Sequence, residues 1–238
     1  MTKLQTTRSM TFLQDSSDEH QLVPGHYYLF NWIKPFVRPD SKILDIGCWT
    51  GPLEILFSKI PCHVTGIDIE EAPLTYAREH FPKYRFIKAS IVETLPFDRH
   101  EFDIVTYFMV IEHVPPGTEL NSLININKSL KLGGQLFMNT MNSTIISNLI
   151  DPAYLLGHRH YSKKHLEILL NLAGFEIQEV RYNAGYFTTL HILLLYFFKH
   201  VLRRKEPRNS FLDKLMWMDY QNRGFAEIDI QAVKISEV

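Results

Sequence analysis

Asp45, Gly47 and Gly51 sit in the stretch ILDIGCWTG, where an apolar run ends in a turn and a helix begins. Glycines in such a turn let the backbone come close to a ligand, and the start of the following helix offers unpaired N–H groups. A cofactor cradle is the chemistry this pattern suits. A dinucleotide fits badly, because its fingerprint needs a second glycine two residues after the first and Trp49 stands there. Asp45 would also set a carboxylate near a resting pyrophosphate, an arrangement that favours a cationic ligand over an anionic one.

Histidine supplies the other candidates: His113 in IEHV, and His158 and His160 around Arg159 in GHRHY. No metal is implied, because the histidines are spread along the chain without ligand spacing. Cys48 and Cys62 are too few for a disulfide framework or a four-cysteine site, and they fit a reducing, cytoplasmic setting.

The elements that must position these residues follow from periodicity. PGHYYLFNWIKPFV carries Tyr27, Phe30, Ile33 or Lys34, and Val37 at helical spacing. It reads as a helix ending near Pro39 that covers a sheet edge, with Tyr27 in the core. KILDIG is a short apolar run suited to a buried parallel strand. Pro52 opens the next helix, whose inner face would be Leu53, Leu56, Phe57 and Ile60. HVTGIDI, YRFIKAS, EFDIVTYFMV and QLFMNTM continue as strands, with helices over EEAPLTYAREHF and 118–130 between them. Gly133 and Gly134 turn the chain, Ser162 caps a further helix that Gly174 stops, and a sixth strand follows. AEIDIQAVKI alternates with period two and makes a seventh. This alternation predicts an α/β, doubly wound, mostly parallel sheet, in which ligands bind beyond the carboxyl ends of the strands.

At 238 residues, with 45% apolar and 21% charged residues, the chain can bury a sizeable core, and a net charge of −1 excludes general attraction to nucleic acid. The first twenty residues lack the apolar run of a secretory signal, and no run reaches the roughly 18 residues that span a bilayer. Four regions are expected: a loose arm over 1–22, a core over 23–182, a helical insertion over 183–224 and a final core strand over 225–238. The insertion contains LHILLLYFF followed by KHVLRRK. Three readings of 186–205 stay open: a buried lid helix, a homodimer face, or an interfacial anchor with an apolar body and a basic flank. The last would make the protein peripheral at a membrane and its acceptor lipid-linked.

The turn resembles motif I of the class I S-adenosylmethionine-dependent methyltransferases, of the type-11 and ubiquinone-biosynthesis kind. Asp68 closing the second strand, LPFD with EFDIV, IEHV and LKLGGQLFM match further family motifs in order, over roughly residues 24–182. The resemblance implies a seven-stranded Rossmann-like methyltransferase fold with an N-terminal helical cap, S-adenosylmethionine as cofactor and S-adenosylhomocysteine as product. It implies a methyltransferase acting on a small-molecule or lipid-linked acceptor by in-line transfer, an O-methylation assisted by a histidine. A cofactor-binding protein without turnover is the alternative.

By the same resemblance, Gly47 and Gly51 border the methionine part of the cofactor beside Asp45, and Asp68 accepts hydrogen bonds from both ribose hydroxyls or else caps the helical segment beginning at Glu70. Cys48, Trp49, Ile69, Ser90 and Ile91 complete the cofactor contacts. Trp49 replaces a common glycine, and Ser90 with Ile91 replaces a common aspartate at the adenine. His113 is the first candidate base or a packing residue, His160 the second, and Arg159 an anion contact.

Overall fold

The computed structural model describes residues 22–152, 154, 157–204, 210–222 and 224–238. The expected arm therefore lies outside the described residues apart from Leu22, and so does Lys205 of the basic flank.

Seven strands form one sheet: β1 (Lys42–Ile46), β2 (His63–Asp68), β3 (Arg85–Lys88), β4 (Phe102–Phe108), β5 (Leu130–Met141), β6 (Phe175–Asn183) and β7 (Glu227–Lys234). Their order is β3-β2-β1-β4-β5-β7-β6, with β7 antiparallel to both neighbours and the other pairs parallel. The chain runs outward from β1 to β3 and then crosses back to β4, so the switch point lies between β1 and β4. The β1 turn lies at that point, where open α/β sheets bind ligands.

Eight helices belong to the described residues: α1 (Pro24–Ile33), α2 (Pro52–Phe57), α3 (Glu71–His80), α4 (Glu119–Ser129), α5 (Ile145–Ile150), α6 (Lys163–Leu172), α7 (Tyr186–Tyr196) and α8 (Ser210–Gln221). The larger core lies on one face, where Val105, Tyr107, Leu136, Met138, Ile228 and Ile230 meet Leu123 and Ile126 of α4 and Leu166 and Leu170 of α6. On the other face, Leu29, Trp32 and Ile33 of α1 cover Ile43, Ile104 and Phe137 with Leu53 and Phe57 of α2. Helix α1 thus lies over the middle of the sheet rather than an edge. Of the expected stripe, Ile33 is buried and Phe30 and Val37 pack beside it, but Leu29 and Trp32 supply the rest of the buried face and Tyr27 is 43% exposed rather than in the core. Pro35 explains the early end: α1 tightens into a 3₁₀ turn over Lys34–Phe36 before the expected stop.

Ser162 caps α6 by accepting from the His165 N–H, and Gly174 ends the unit at φ +77°. Strand β5 begins at Leu130, before Gly133 and Gly134, with a register shift against β4 between Phe102 and Ile104.

After β6 the chain forms α7 and a π-helical turn over Phe197–Leu202. Only Thr188 and Thr189 of α7 are buried, and the carboxylate of Asp219 on α8 fixes that end by accepting from the N–H groups of Gly185 and Thr188. The apolar residues face outward: Leu190, Leu193, Phe197, Val201 and Leu202 are between 40% and 65% exposed. Other apolar residues of the segment, Ile192, Leu194 and Phe198, are half-buried. No helix among the described residues is long and apolar enough to cross a membrane.

Candidate functional site

Between β1 and α2 the chain reverses with positive φ at alternate residues: Gly47 at +76°, Trp49 at +50° and Gly51 at +86°. Gly47 has a second constraint, since a Cβ there would lie 2.4 Å from a methyl of Val110. That contact seats the loop after β4 on the turn. Trp49 occupies a left-handed position that favours glycine, and its N–H donates to Asp68 Oδ2 at 3.0 Å. The other carboxylate oxygen of Asp68 accepts from the Glu70 N–H at 2.9 Å. Glu70 occupies the N-cap position of α3, so Asp68 receives the N–H of the residue from which that helix starts.

Beneath the turn lie two buried acids. Asp45 is 4% exposed and accepts from Thr106 Oγ1 at 2.5 Å. Burial raises its carboxyl to about 7, with Asp68 adding to the rise and the Thr106 hydroxyl opposing it. Glu54, at 0% exposure, has no hydrogen-bond partner on either oxygen, and burial followed by the charge of Asp45 holds its carboxyl well above the usual range. Glu54 was not legible as a site residue, because acid in the first turn of a helix ordinarily reads as a match to its dipole.

Burial resists ionisation of Glu54 and Asp45, while Asp68 presents its carboxylate oxygens, so this end of the sheet is lined by hydrogen-bond acceptors. The N–H groups of Gly47 and Cys48 are already given to the carbonyl of Ile67. Such a donor-poor, acidic cradle rejects a pyrophosphate and fits a ligand that joins a positive centre to ribose hydroxyls. S-adenosylmethionine, a sulfonium with an α-amino group, fits on this ground.

The remaining expected contacts are uneven. Ile69 is 53% exposed at the end of β2, and Ser90 is half-buried beyond the end of β3. Ile91 lies in the larger core, its carbonyl accepting from Asn125 at 2.8 Å. Cys48 turns its side chain away from the turn's open side into a cluster with Leu74, Ala77 and Phe86, where burial pushes its thiol up. Only its backbone remains at the turn.

Across the switch point, β4 runs into Met109 at φ +52° and a tight turn over Ile111–His113. Arg159 clamps this turn by donating to the carbonyls of Ile111, Glu112 and Val114 and to the Glu119 carboxylate. Its guanidinium is committed to the fold, which corrects the expected anion contact. His113 and His158 face one another, Nε2 to Nε2, at 3.3 Å. They line a cleft of about 440 Å³ with Glu112, Pro115, Gly157 and Tyr196. Partial desolvation, then the neighbouring His158 and Arg159, hold the His113 imidazole down at about 4. Glu112 is buried and its carboxyl is pushed up to about 7, mainly by burial.

His160 behaves differently. Its side chain is fully buried, with Nδ1 2.8 Å from Asn148 Oδ1 and Nε2 2.9 Å from Asp151 Oδ2. Its two ring nitrogens face Asn148 and Asp151, and it does not line the cleft that holds His113 and His158. Nor are the histidines scattered in space: His158 and His160 converge on Asp151, which nothing in the sequence singled out.

The sheet order, the acid-lined cradle at the switch point and the acid closing β2 define a Rossmann-like protein that binds an adenosine-type cofactor. Comparison with known proteins sharpens this. The methyltransferase domain family matches residues 43–134. A ubiquinone biosynthesis O-methyltransferase of Pseudomonas entomophila (strain L48) is 31% identical over 171 residues, which cover 63% of this chain and 71% of the relative. A protein of the same name from Pseudomonas aeruginosa (strain UCBPP-PA14) is 38% identical over 121 residues, 47% of this chain and half of the relative. Among solved structures, an S-adenosylmethionine-dependent methyltransferase from Methanosarcina mazei superposes with a TM-score of 0.63 at 20% identity, covering 87% of this chain and 98% of that one. A geranyl diphosphate methyltransferase in complex with S-adenosylmethionine gives a TM-score of 0.63 at 13% identity, over 88% and 84%. The chain belongs to the class I S-adenosylmethionine-dependent methyltransferases. It is an enzyme, and S-adenosylmethionine is its cofactor.

Proposed function

We propose that this enzyme methylates a hydroxyl oxygen on an aromatic acceptor that carries an isoprenoid tail. The observation that carries the reading is Tyr196: the helix with the exposed apolar face contributes this residue to the cleft that holds His113 and His158. A long apolar tail can lie along α7 while the ring to be methylated enters the cleft. The relatives named as ubiquinone biosynthesis O-methyltransferases support an acceptor of this chemistry.

In this reading Asp68 holds the ribose of the cofactor, the turn from Gly47 to Gly51 borders its methionine part above Asp45, and Ile69, Ser90 and Ile91 lie toward adenine. Bound S-adenosylmethionine supplies an electrophilic methyl group on a positive sulfur. The chain's own contribution is orientation, exclusion of water and removal of the acceptor's proton. Val110, wedged on Gly47, ties the loop carrying His113 to the cofactor turn, so the base is positioned relative to the methyl donor. His113 accepts the hydroxyl proton and releases it at the open side of the cleft.

The outward apolar side chains of α7, followed by Lys199, His200, Arg203 and Arg204, support peripheral contact with an anionic bilayer through 186–204, with a homodimer face as the other use of the same surface. The test is a methylation assay on one phenolic acceptor with and without a prenyl tail, run beside sedimentation with anionic vesicles. Preference for the tailed acceptor together with vesicle binding is expected, both reduced by Leu193→Glu. Equal turnover of both acceptors with no vesicle binding refutes the proposal.

A further inference from the structure

We propose that Asp151, His158 and His160 form a site for one divalent transition-metal ion, separate from the cofactor turn. The three come from the end of α5 and the segment that leads into α6, and their donor atoms all lie within 4.8 Å of one another. His160 Nε2 is 2.9 Å and His158 Nδ1 3.6 Å from the same oxygen, Asp151 Oδ2. Donors bonded at 2.0–2.1 Å in a tetrahedral zinc site are separated by about 3.3 Å, so the observed spacing brackets what an ion requires.

The hydrogen bonds around the triad point to an ion rather than to a simple fastening. His160 Nδ1 lies 2.8 Å from the Asn148 carbonyl oxygen, which fixes the ring proton on Nδ1. The lone pair on Nε2 then faces the Asp151 carboxylate, and two lone pairs at that distance need a cation between them. A proton could serve one nitrogen, but His158 Nδ1 aims at the same oxygen, is buried, and has no hydrogen-bond partner. One ion satisfies all three donors at once. Asn148 then takes the place of the outer partner that metal-bound histidines ordinarily have.

The donor set selects the metal. Two imidazoles with one carboxylate suit Zn²⁺ and its first-row neighbours, whereas Ca²⁺ and Mg²⁺ prefer oxygen throughout. Enclosure favours this triad over a neighbouring one. Glu112, His113 and the other nitrogen of His158 also converge, but His113 is exposed and that nitrogen already meets His113. An ion on His158 Nδ1 would fix the ring whose Nε2 lies 3.3 Å from His113 Nε2. His158 is therefore a positioning residue, and the ion pins the floor of the cleft from behind.

The test uses the full chain, freed of metal by dialysis against a chelator. Zn²⁺ titration by calorimetry, Co²⁺ titration by visible absorption and elemental analysis should each give one ion per chain. Asn148→Ala should weaken binding about 10- to 100-fold, and Asp151→Asn or His158→Ala by more, while His113→Ala leaves Zn²⁺ affinity within about threefold. Circular dichroism and S-adenosylmethionine binding identify any variant that fails to fold. The wild type then decides alone, since an ion bound only by the native state must raise its melting temperature. Absence of saturable binding or of that rise, unchanged affinity in folded Asp151→Asn and His158→Ala, or loss in His113→Ala instead, would each overturn the site.

Discussion

The backbone N–H of Trp49 donates to the carboxylate of Asp68 at 3.0 Å, so the turn after β1 and the end of β2 form one unit. Asp68 shapes the turn, and in the proposed reading it also presents its remaining lone pairs to the ribose. Asp68→Ala should lower S-adenosylmethionine affinity by roughly 100-fold, from two charge-assisted hydrogen bonds of about 1.5–3 kcal/mol each less the competition of water. Asp68→Asn, which keeps one acceptor, should lose less. Titration calorimetry is the check, and an affinity for the alanine variant within about threefold of the wild type would remove Asp68 from the ribose.

Trp49 is held at φ +50°, where a Cβ carries a steric cost. Comparing Trp49→Gly with Trp49→Ala separates that cost from loss of the ring, because both variants lose the ring equally. The glycine variant should be the more stable by about 1 kcal/mol in denaturant titrations. An alanine variant as stable as the glycine one would mean that the turn relaxes when the ring is gone.

Much of this geometry was legible in the sequence, for a physical reason. Burial on both faces makes parallel strands such as KILDI read as unbroken apolar runs, and helices between them leave a separate period, so the sheet could be inferred. Gly47 and Gly51 marked the turn because backbone there must take positive φ. What stayed hidden depends on contacts between distant segments. Arg159 reads as a surface cation until the carbonyls of the 111–114 turn are found around it. Asp151 and His160 meet only because α5 and the start of α6 fold against one another. The buried stripe of α1 is hard to read for a simpler reason: Tyr27, Phe30, Leu29 and Trp32 are all apolar enough for two faces to compete.

Arg159 offers a test of how the His113 loop is held. Its planar fork reaches three carbonyls and the Glu119 carboxylate, a geometry that the single ammonium of lysine cannot reproduce. Arg159→Lys should cost about 2 kcal/mol of stability and speed amide exchange over 109–114, with exchange in β1 unchanged. Unaltered exchange in that loop would show that Tyr161, which donates to the Ile111 carbonyl at 3.1 Å, suffices alone.

Glu227 connects the fold to pH. It lies buried on β7, accepting from Asn139 Nδ2 at 3.1 Å and from the Tyr220 hydroxyl at 3.4 Å. Burial, then the charge of Asp229, raises its carboxyl from 4.5 to about 8. A raised carboxyl keeps its proton in the folded chain at pH values where the unfolded chain has released it. Its contribution to stability is thus intact below about pH 4.5 and is lost as pH rises toward 8. Glu227→Gln supplies a neutral group at every pH, and the buried, unpartnered Oδ1 of Asn139 can turn to accept from the new amide. The variant should exceed the wild type by about 2–4 kcal/mol at pH 8 and by less than about 1 kcal/mol at pH 5, read from denaturant midpoints at both values. A gain that is the same at both pH values would mean that packing around β7, and not ionisation of Glu227, sets the difference.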